Sequence, residues 1–97
     1  MIIEFAESAI CDLEDIRIYY TELQIQQVGE RFISEIISDI ETLPANPEIG
    51  RQVPEFQMPS IRELIRPPFR IVYVLNEANI QIIRVWRSER LMQLPQT

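Results

Sequence analysis

The sequence has 97 residues, enough for one domain, and its 46% hydrophobic and 25% charged residues are typical of a globular protein. It contains no histidine and a single cysteine, Cys11, which excludes an internal disulfide, the commonest metal ligand and histidine-activated nucleophiles. The net charge of −6 argues against nonspecific binding to nucleic acid, whose affinity comes mainly from basic side chains. We therefore expect no metal and no other cofactor.

The charge is divided unevenly between the two halves of the chain. Residues 1–48 hold eleven acids and two arginines, a net charge of −9, whereas residues 49–97 hold four acids and seven arginines, a net charge of +3. All the basic residues are arginine, whose planar fork of donors matches a carboxylate or a phosphate. This pattern predicts a docking surface for an anionic partner; the alternative is that solvated arginines decorate a small sheet.

No part of the sequence has the features of a membrane or export segment. Its apolar runs are all shorter than the ~20 residues that a bilayer-spanning helix needs. The first residues lack the basic start of a signal peptide, and Glu4 and Glu7 interrupt any apolar stretch. We therefore expect a cytoplasmic protein that makes no membrane contact.

The first half of the chain is predicted to form a strand and two helices. Residues 1–5 have the composition of a short strand, and apolar residues then recur at helical spacing from Glu7. The apolar face of this first helix is predicted to consist of Ile10, Leu13, Ile16, Tyr20 and Leu23, with Cys11 as a small core residue. A second face follows at Phe32, Ile33, Ile36, Ile37, Ile40 and Leu43, and Pro44 and Pro47 end that helix. The short break between the two predicts an antiparallel helical hairpin.

The second half of the chain is predicted to be a loop followed by a small sheet. Residues 44–60 contain four prolines and Gly50 and are expected to connect elements without regular structure. The segments IRELIR, FRIVYVL and NIQIIRVW are rich in branched and aromatic residues and predict an antiparallel three-stranded meander. Residues 88–94 are expected to form a short last helix. The chain is thus predicted to be a single α+β domain.

Alternation along the strands predicts which residues share a face of this sheet. Phe69, Ile71 and Tyr73 share one face, which the helical hairpin is expected to cover, and Trp86 has the same parity as the core residues Ile80 and Ile82. The opposite face is expected to be an uncovered apolar floor edged by arginine. That floor comprises Val72, Val74, Ile83 and Val85, with Arg70 and Arg87 at its edges. Such a surface on a small protein is typical of a partner site.

The order of these elements and several short motifs resemble the RelE/ParE toxin superfamily. The motifs are Ala9…Asp12-Leu13…Ile16…Tyr20, Pro47-x-x-Gly50-Arg51, Arg62-Glu63-Leu64, Arg70-Ile71-Val72-Tyr73 and Ile82-Ile83-Arg84-Val85. The resemblance covers nearly the whole chain. It implies the toxin of a bacterial type II toxin–antitoxin pair, held inactive in a hetero-oligomer by an antitoxin that wraps around it.

The expected antitoxin would dock on the arginine-edged floor. Acids are frequent on antitoxin segments, which makes Arg62, Arg66, Arg70 and Arg87 the expected docking points beside the apolar floor residues. Each of these arginines also has a structural alternative. Arg70 has Glu63 and Glu77 as potential ion-pair partners, and Arg51 after Gly50 has the position of a residue that fixes the loop.

The superfamily has two functional branches, and the residues resemble the second more closely. RelE-like members cut mRNA on the ribosome, whereas ParE-like members poison DNA gyrase. A nuclease site here would use Arg70, Arg87 and Arg90 as electrostatic clamps and Glu55 as the base, although a solvated loop acid is the simpler interpretation of Glu55. Ser88 stands where the nucleases have an arginine and Leu94 where they have a tyrosine, and the chain has no lysine.

The resemblance therefore implies a ParE-like inhibitor of DNA gyrase. Its target-contacting segment is expected at the end of the last strand and beyond, at Arg84, Arg87, Arg90, Leu91 and Leu94. The alternatives are a RelE-like endoribonuclease that acts on the ribosome and mRNA, and an inactive relative that binds only the antitoxin.

Overall fold

The computed structural model describes residues 1–87 and confirms the predicted order of the elements. The chain begins with strand β1 and a helical hairpin, and ends with the meander. The elements are β1 (Ile2–Phe5), α1 (Glu7–Glu22), α2 (Gln26–Glu41), a 3-10 turn (Leu43–Ala45), β2 (Arg51–Gln52), β3 (Ile61–Arg66), β4 (Phe69–Leu75) and β5 (Asn79–Arg87). Strand β2 lies in the segment predicted as a loop. The helix predicted over residues 88–94 lies outside the described residues.

The strands form one mixed sheet in the order β1-β5-β4-β3-β2. Strands β3, β4 and β5 are antiparallel neighbours, as the meander prediction required. Strand β1 pairs in parallel with β5, from Ile2 opposite Asn79 to Phe5 opposite Ile82. The first strand of the chain thus lies beside the last described one, and the helical hairpin is the crossover between β1 and the rest of the sheet.

The helical hairpin is closed by a three-residue turn and a close contact between its helices. Gln24 in the turn has a φ of 61°, in the left-handed region that few non-glycine residues adopt. At Gly29 in α2 a Cβ atom would lie 2.9 Å from the Cβ of Tyr20 in α1. A side chain at position 29 would therefore push the helices apart.

Among the described helices, none has the length and hydrophobicity that a bilayer crossing requires.

The hydrophobic core lies between this hairpin and one face of the sheet, which we call the helix face. Ile36 and Ile40 of α2 share one cluster there with the buried strand residues of that face, which are Phe69, Ile71, Tyr73, Ile80, Ile82 and Val85. The prediction for α1 was partly wrong, because its buried residues are Ala9, Asp12, Ile16 and Tyr20. Ile10, Leu23 and Cys11 are exposed. The search for apolar residues found Ile16 and Tyr20 but missed Ala9, which is small, and Asp12, which is charged.

A β-bulge in β5 reverses the predicted alternation near the end of the sheet. Tyr73 pairs with Ile82 and Val72 with Arg84, so Ile83 is the extra residue. After the bulge, Val85 lies in the core on the helix face and Arg87 lies opposite Phe69 on that same face. The predictions that Val85 and Arg87 line the opposite face, and that Trp86 belongs with the core, were therefore wrong.

Candidate functional site

The face of the sheet opposite the helices, which we call the far face, carries two cross-strand rows rich in charged side chains. The strand register sets these rows, because residues directly opposite each other in a sheet point to the same side. The first row is Ile65, Arg70 and Trp86, and the second is Arg51, Glu63, Val72 and Arg84.

A buried carboxylate joins two arginines at the centre of the far face. The side chain of Glu63 has no exposed surface, and its Oε1 accepts a hydrogen bond from Arg70 Nε at 2.6 Å. Its Oε2 accepts one from Arg51 Nε at 2.7 Å. The Arg70–Glu63 pair is the structural alternative that the sequence left open for Arg70, and it is confirmed. A glutamate buried in a strand is stable here because both of its oxygens have charged donors.

A second carboxylate, from the loop before β3, completes this network. Glu55 accepts from both terminal nitrogens of Arg70, with Oε2 3.1 Å from Nη1 and Oε1 3.0 Å from Nη2. The guanidinium of Arg70 is thereby hydrogen-bonded to two glutamates, and its side chain is only 6% exposed. Glu55 is an exposed loop acid, as expected, and it is also the outer partner of a nearly buried arginine.

The pKa values of Glu55 and Arg70 are both shifted in the direction that keeps the two groups charged. The hydrogen bond from Arg70 is the main reason that the pKa of Glu55 is lowered from its ordinary value of 4.5. Burial acts to lower the pKa of Arg70, but hydrogen bonds to Glu55 and Glu63 outweigh it and leave that pKa raised. Glu55 is therefore a carboxylate at neutral pH, with little tendency to take up a proton.

Arg84 and Trp86 form a second part of the far face at its β5 edge. The guanidinium carbon of Arg84 lies 5.1 Å from the centroid of the Trp86 ring, within cation–π range. Asp12 of α1 binds the same guanidinium through two hydrogen bonds of 2.8 and 2.9 Å. Arg84 is thus held in one orientation while its side chain remains 40% exposed.

The other predicted docking arginines, Arg62, Arg66 and Arg87, lie outside this network. Each of them is hydrogen-bonded to another part of the protein. Arg66 forms a bidentate pair with Asp39 of α2, at 2.7 Å for each bond. Arg62 donates to the carbonyl of Gly50 at 2.8 Å. Arg87 donates a hydrogen bond to the Tyr20 hydroxyl. Its guanidinium carbon lies 5.4 Å from the ring centroids of both Tyr19 and Phe69.

The predicted apolar floor is not an uncovered surface. Val72 is fully buried, and Val74 and Ile83 are half-buried. Val85 belongs to the core on the other side of the sheet. The prediction overlooked the long charged side chains on this face: Val72 lies between Glu63 and Arg84 in its row. The exposed part of this face is its rim, which includes Arg51 and Ile65.

Of the candidate nuclease residues in the described part of the chain, Arg70 and Glu55 meet in an ion pair, whereas Arg87 lies apart from them. Arg70 lies on the far face, Arg87 lies on the helix face, and Glu55 is engaged by Arg70. Arg90, Leu91 and Leu94 lie outside the described residues. Over residues 1–87, no group of histidine, cysteine and acidic side chains is arranged to hold a metal ion.

Comparison with solved structures supports this fold assignment. The chromosomal ParDE toxin–antitoxin system from P. aeruginosa includes a chain 25% identical to this one, with a TM-score of 0.73 over 90% of this chain and 95% of that one. The YoeB dimer from Staphylococcus aureus matches with a TM-score of 0.64 at 18% identity, over 89% and 94% of the two chains.

A third solved structure is also similar in fold, and a family model matches most of the chain. The E. coli DinJ-YafQ toxin–antitoxin complex has a TM-score of 0.52 at 13% identity, over 92% of this chain and 93% of that one. No match was found among curated protein sequences. The family model described as "ParE toxin of type II toxin-antitoxin system, parDE" matches residues 3–92. The chain therefore belongs to the ParE toxin family of type II toxin–antitoxin systems.

Proposed function

We propose that this ParE-family toxin acts in the cytoplasm by inhibiting DNA gyrase, without cleaving nucleic acid itself, and that a cognate antitoxin neutralises it in a hetero-oligomer. One observation carries the choice of a non-nucleolytic mechanism. Arg70 and Glu55, the predicted clamp and base of a nuclease site, are bound to each other, and Arg87 is on the opposite face of the sheet.

The chemistry of phosphodiester cleavage explains why these contacts argue against a nuclease site. A clamp for the scissile phosphate needs a net positive charge where negative charge develops. The guanidinium of Arg70 already has two carboxylate partners, Glu55 and Glu63. A general base needs a pKa near the working pH, whereas the pKa of Glu55 is lowered further below it. The charge of Arg70 is thus neutralised by its own partners, and Glu55 is too weak a base for the reaction.

The surface that we propose for target contact is the β5 end of the far face. There Arg84 is positioned between Asp12 and the Trp86 ring, which makes it a pre-oriented donor. A fixed guanidinium loses less side-chain entropy on binding than a free one. The predicted contacts Arg90, Leu91 and Leu94 follow directly after this strand, and we retain them as part of the proposed surface.

The test combines purified components with cells. The protein is added to DNA gyrase in a supercoiling assay, and it is expressed from an inducible promoter in cells that lack an antitoxin. We expect loss of supercoiling activity in vitro, and filamentation with damaged DNA and intact transcripts in cells. Cleavage of mRNA at codon positions would overturn the proposal in favour of a ribosome-dependent endoribonuclease. Unimpaired growth with soluble protein would leave only antitoxin binding.

A matched pair of variants tests the proposed contact surface. Arg84→Gln removes one charge from the β5 end, and Arg17→Gln removes one from the helical hairpin, where the side chain is 48% exposed against 40% for Arg84. We expect Arg84→Gln to weaken gyrase inhibition by about tenfold or more, and Arg17→Gln to leave it unchanged. Equal inhibition by the two variants, with matching circular dichroism spectra, would exclude Arg84 from the contact.

A further inference from the structure

We propose that Arg70 is a carboxylate-binding site that Glu55 keeps closed, and that an acidic segment of the antitoxin opens it by taking the place of Glu55. Gyrase has no part in this exchange, which rests only on the antitoxin partnership that family membership implies. The site lies on the far face, where Arg70 has two carboxylate partners of very different accessibility.

The two glutamates differ in whether a partner can replace them. Glu63 has no exposed surface and is also bound by Arg51, so it is a fixed part of the sheet. Glu55 is 45% exposed and lies in the segment between β2 and β3, outside any helix or strand. It holds both outer nitrogens of Arg70, in the bidentate geometry that an incoming carboxylate would use. Glu55 is therefore an internal stand-in for a ligand carboxylate.

The energetics favour exchange over simple opening. If Glu55 simply moved away, Arg70 would lose a charge-assisted ion pair. That loss is costly because the Arg70 side chain is only 6% exposed. Replacing one carboxylate by another preserves the number of ion pairs and hydrogen bonds at Arg70. The released Glu55 regains full hydration, which it has already in part. The site consequently remains closed until a competing anion is present.

The surroundings of Arg70 favour an acidic peptide over a nucleic acid. Ile65, directly opposite Arg70 in the sheet, is 46% exposed, and Phe56 and Met58 beside Glu55 in the loop are also exposed. Arg51 lies at the rim of the same network and provides a second cation. A segment that alternates acidic and apolar residues matches this arrangement. The exposed apolar side chains offer contacts to the leucine-like residues of such a segment that a phosphate backbone would not use.

The experiment measures binding of a short fluorescein-labelled peptide of alternating glutamate and leucine by fluorescence anisotropy. Glu55→Gln removes the competing charge, and Glu30→Gln makes the same charge change at an exposed ion pair with Arg17 on the helical hairpin. The apparent affinity for the peptide is the intrinsic affinity multiplied by the fraction of molecules in which Glu55 has left Arg70. We expect Glu55→Gln to bind the peptide about tenfold more tightly than the wild type, and Glu30→Gln to match the wild type.

Two further measurements make the result specific to Arg70. The chain contains one tryptophan, and its ring centroid lies 6.0 Å from the Arg70 guanidinium, so Trp86 fluorescence reports on this site. We expect the peptide to change that fluorescence in Glu55→Gln and a glutamine–leucine peptide to have no effect. Arg70→Lys in the Glu55→Gln background keeps the charge but removes the fork, and it should abolish the gain.

Three results would overturn the proposal. An equal gain in Glu55→Gln and Glu30→Gln would show only an effect of net charge. No gain in either would mean that Glu55 does not close a site. Tighter binding of a single-stranded RNA than of the acidic peptide by Glu55→Gln would assign Arg70 to phosphate instead. None of these outcomes depends on whether the protein inhibits gyrase, which the supercoiling assay decides separately.

Discussion

Asp12 in α1 binds Arg84 in β5 through two parallel hydrogen bonds, although the two residues are 72 positions apart in the chain. The same carboxylate accepts the amide of Val85 at 2.8 Å, and the Ser8 hydroxyl donates to the Ile83 carbonyl at 2.6 Å. These bonds lie where β1 has ended and the outer edge of β5 would lack a partner. Side chains of α1 thus continue the role of β1 along this edge.

Replacement of Asp12 by alanine should therefore destabilise the fold. Asp12→Ala leaves the Val85 amide and the Arg84 guanidinium without their acceptor, and we expect a loss of about 2–3 kcal/mol in the free energy of unfolding. Urea denaturation followed by circular dichroism gives this value. Asp15→Ala, the same charge change at an exposed position of the same helix, should have little effect. Equal midpoints for the two variants would contradict a structural role for Asp12.

Loss of the buried Glu63 carboxylate should have a larger effect. Glu63→Ala leaves Arg70 with one carboxylate and Arg51 with none, and removal of one partner from a buried ion pair costs about 3–5 kcal/mol. We expect a clear fall in the thermal midpoint. The control is Glu77→Ala, at an exposed turn residue that sequence considerations had offered as another partner of Arg70. A fall of similar size in Glu77→Ala would contradict the observed pairing.

Tyr73 should stabilise the loop before β2 through its hydroxyl group. The hydroxyl accepts a bond from the Gly50 amide at 3.0 Å and donates one to the Pro47 carbonyl at 2.7 Å. A Cβ atom at Gly50 would lie 2.6 Å from the same oxygen, so only glycine permits this approach. We expect Tyr73→Phe to lower the free energy of unfolding by about 1–3 kcal/mol, measured in urea.

The stabilisation from Tyr73 should also depend on pH. Burial is the main cause of a raised pKa for the Tyr73 hydroxyl, whose ordinary value is 10.0. Because its folded pKa is higher than its unfolded one, the contribution is complete below pH 10 and is lost as the pH rises through the folded value. Between pH 10 and the folded value, wild type should therefore lose stability more steeply than Tyr73→Phe. Parallel curves for the two proteins would contradict this assignment.

The Glu55–Arg70 pair should produce the opposite pH dependence. The pKa of Glu55 is lowered mainly by its hydrogen bond with Arg70, so its contribution is complete above the ordinary value of 4.5 and is lost as the pH falls through the lowered value. The difference in free energy of unfolding between wild type and Glu55→Gln should be constant near neutral pH. It should shrink in acid, measured by urea denaturation at a series of pH values. A difference that persists at the lowest pH would argue against this pair.

Several elements followed directly from local sequence patterns. The periodicity of α2 predicted Ile36, Ile40 and Leu43 correctly as buried residues, because every member of that face is apolar. Alternation predicted Phe69, Ile71 and Tyr73 as the helix face of β4 for the same reason. The order of strand, hairpin and meander was also correct. In each case neighbouring positions carry the whole signal.

The errors arose where a single residue changed the pattern or a polar residue was buried. The bulge at Ile83 reversed the faces of Val85, Trp86 and Arg87, and nothing within β5 marks it, since it depends on pairing with β4. In α1, the search for an apolar face passed over Asp12, because charged residues are rarely buried without a partner. Its partner, Arg84, is almost at the other end of the described chain.

By itself, the sequence determined the class of fold, the order of its elements, the lack of histidine chemistry and the concentration of arginine in the second half. Only the tertiary structure decided which arginines are engaged within the protein and which carboxylates hold them. The physical reason is that helix and strand periodicity are local, whereas an ion pair depends on two side chains meeting in space. Arg70 is held by Glu55 and Glu63, and no spacing along the chain specifies that meeting.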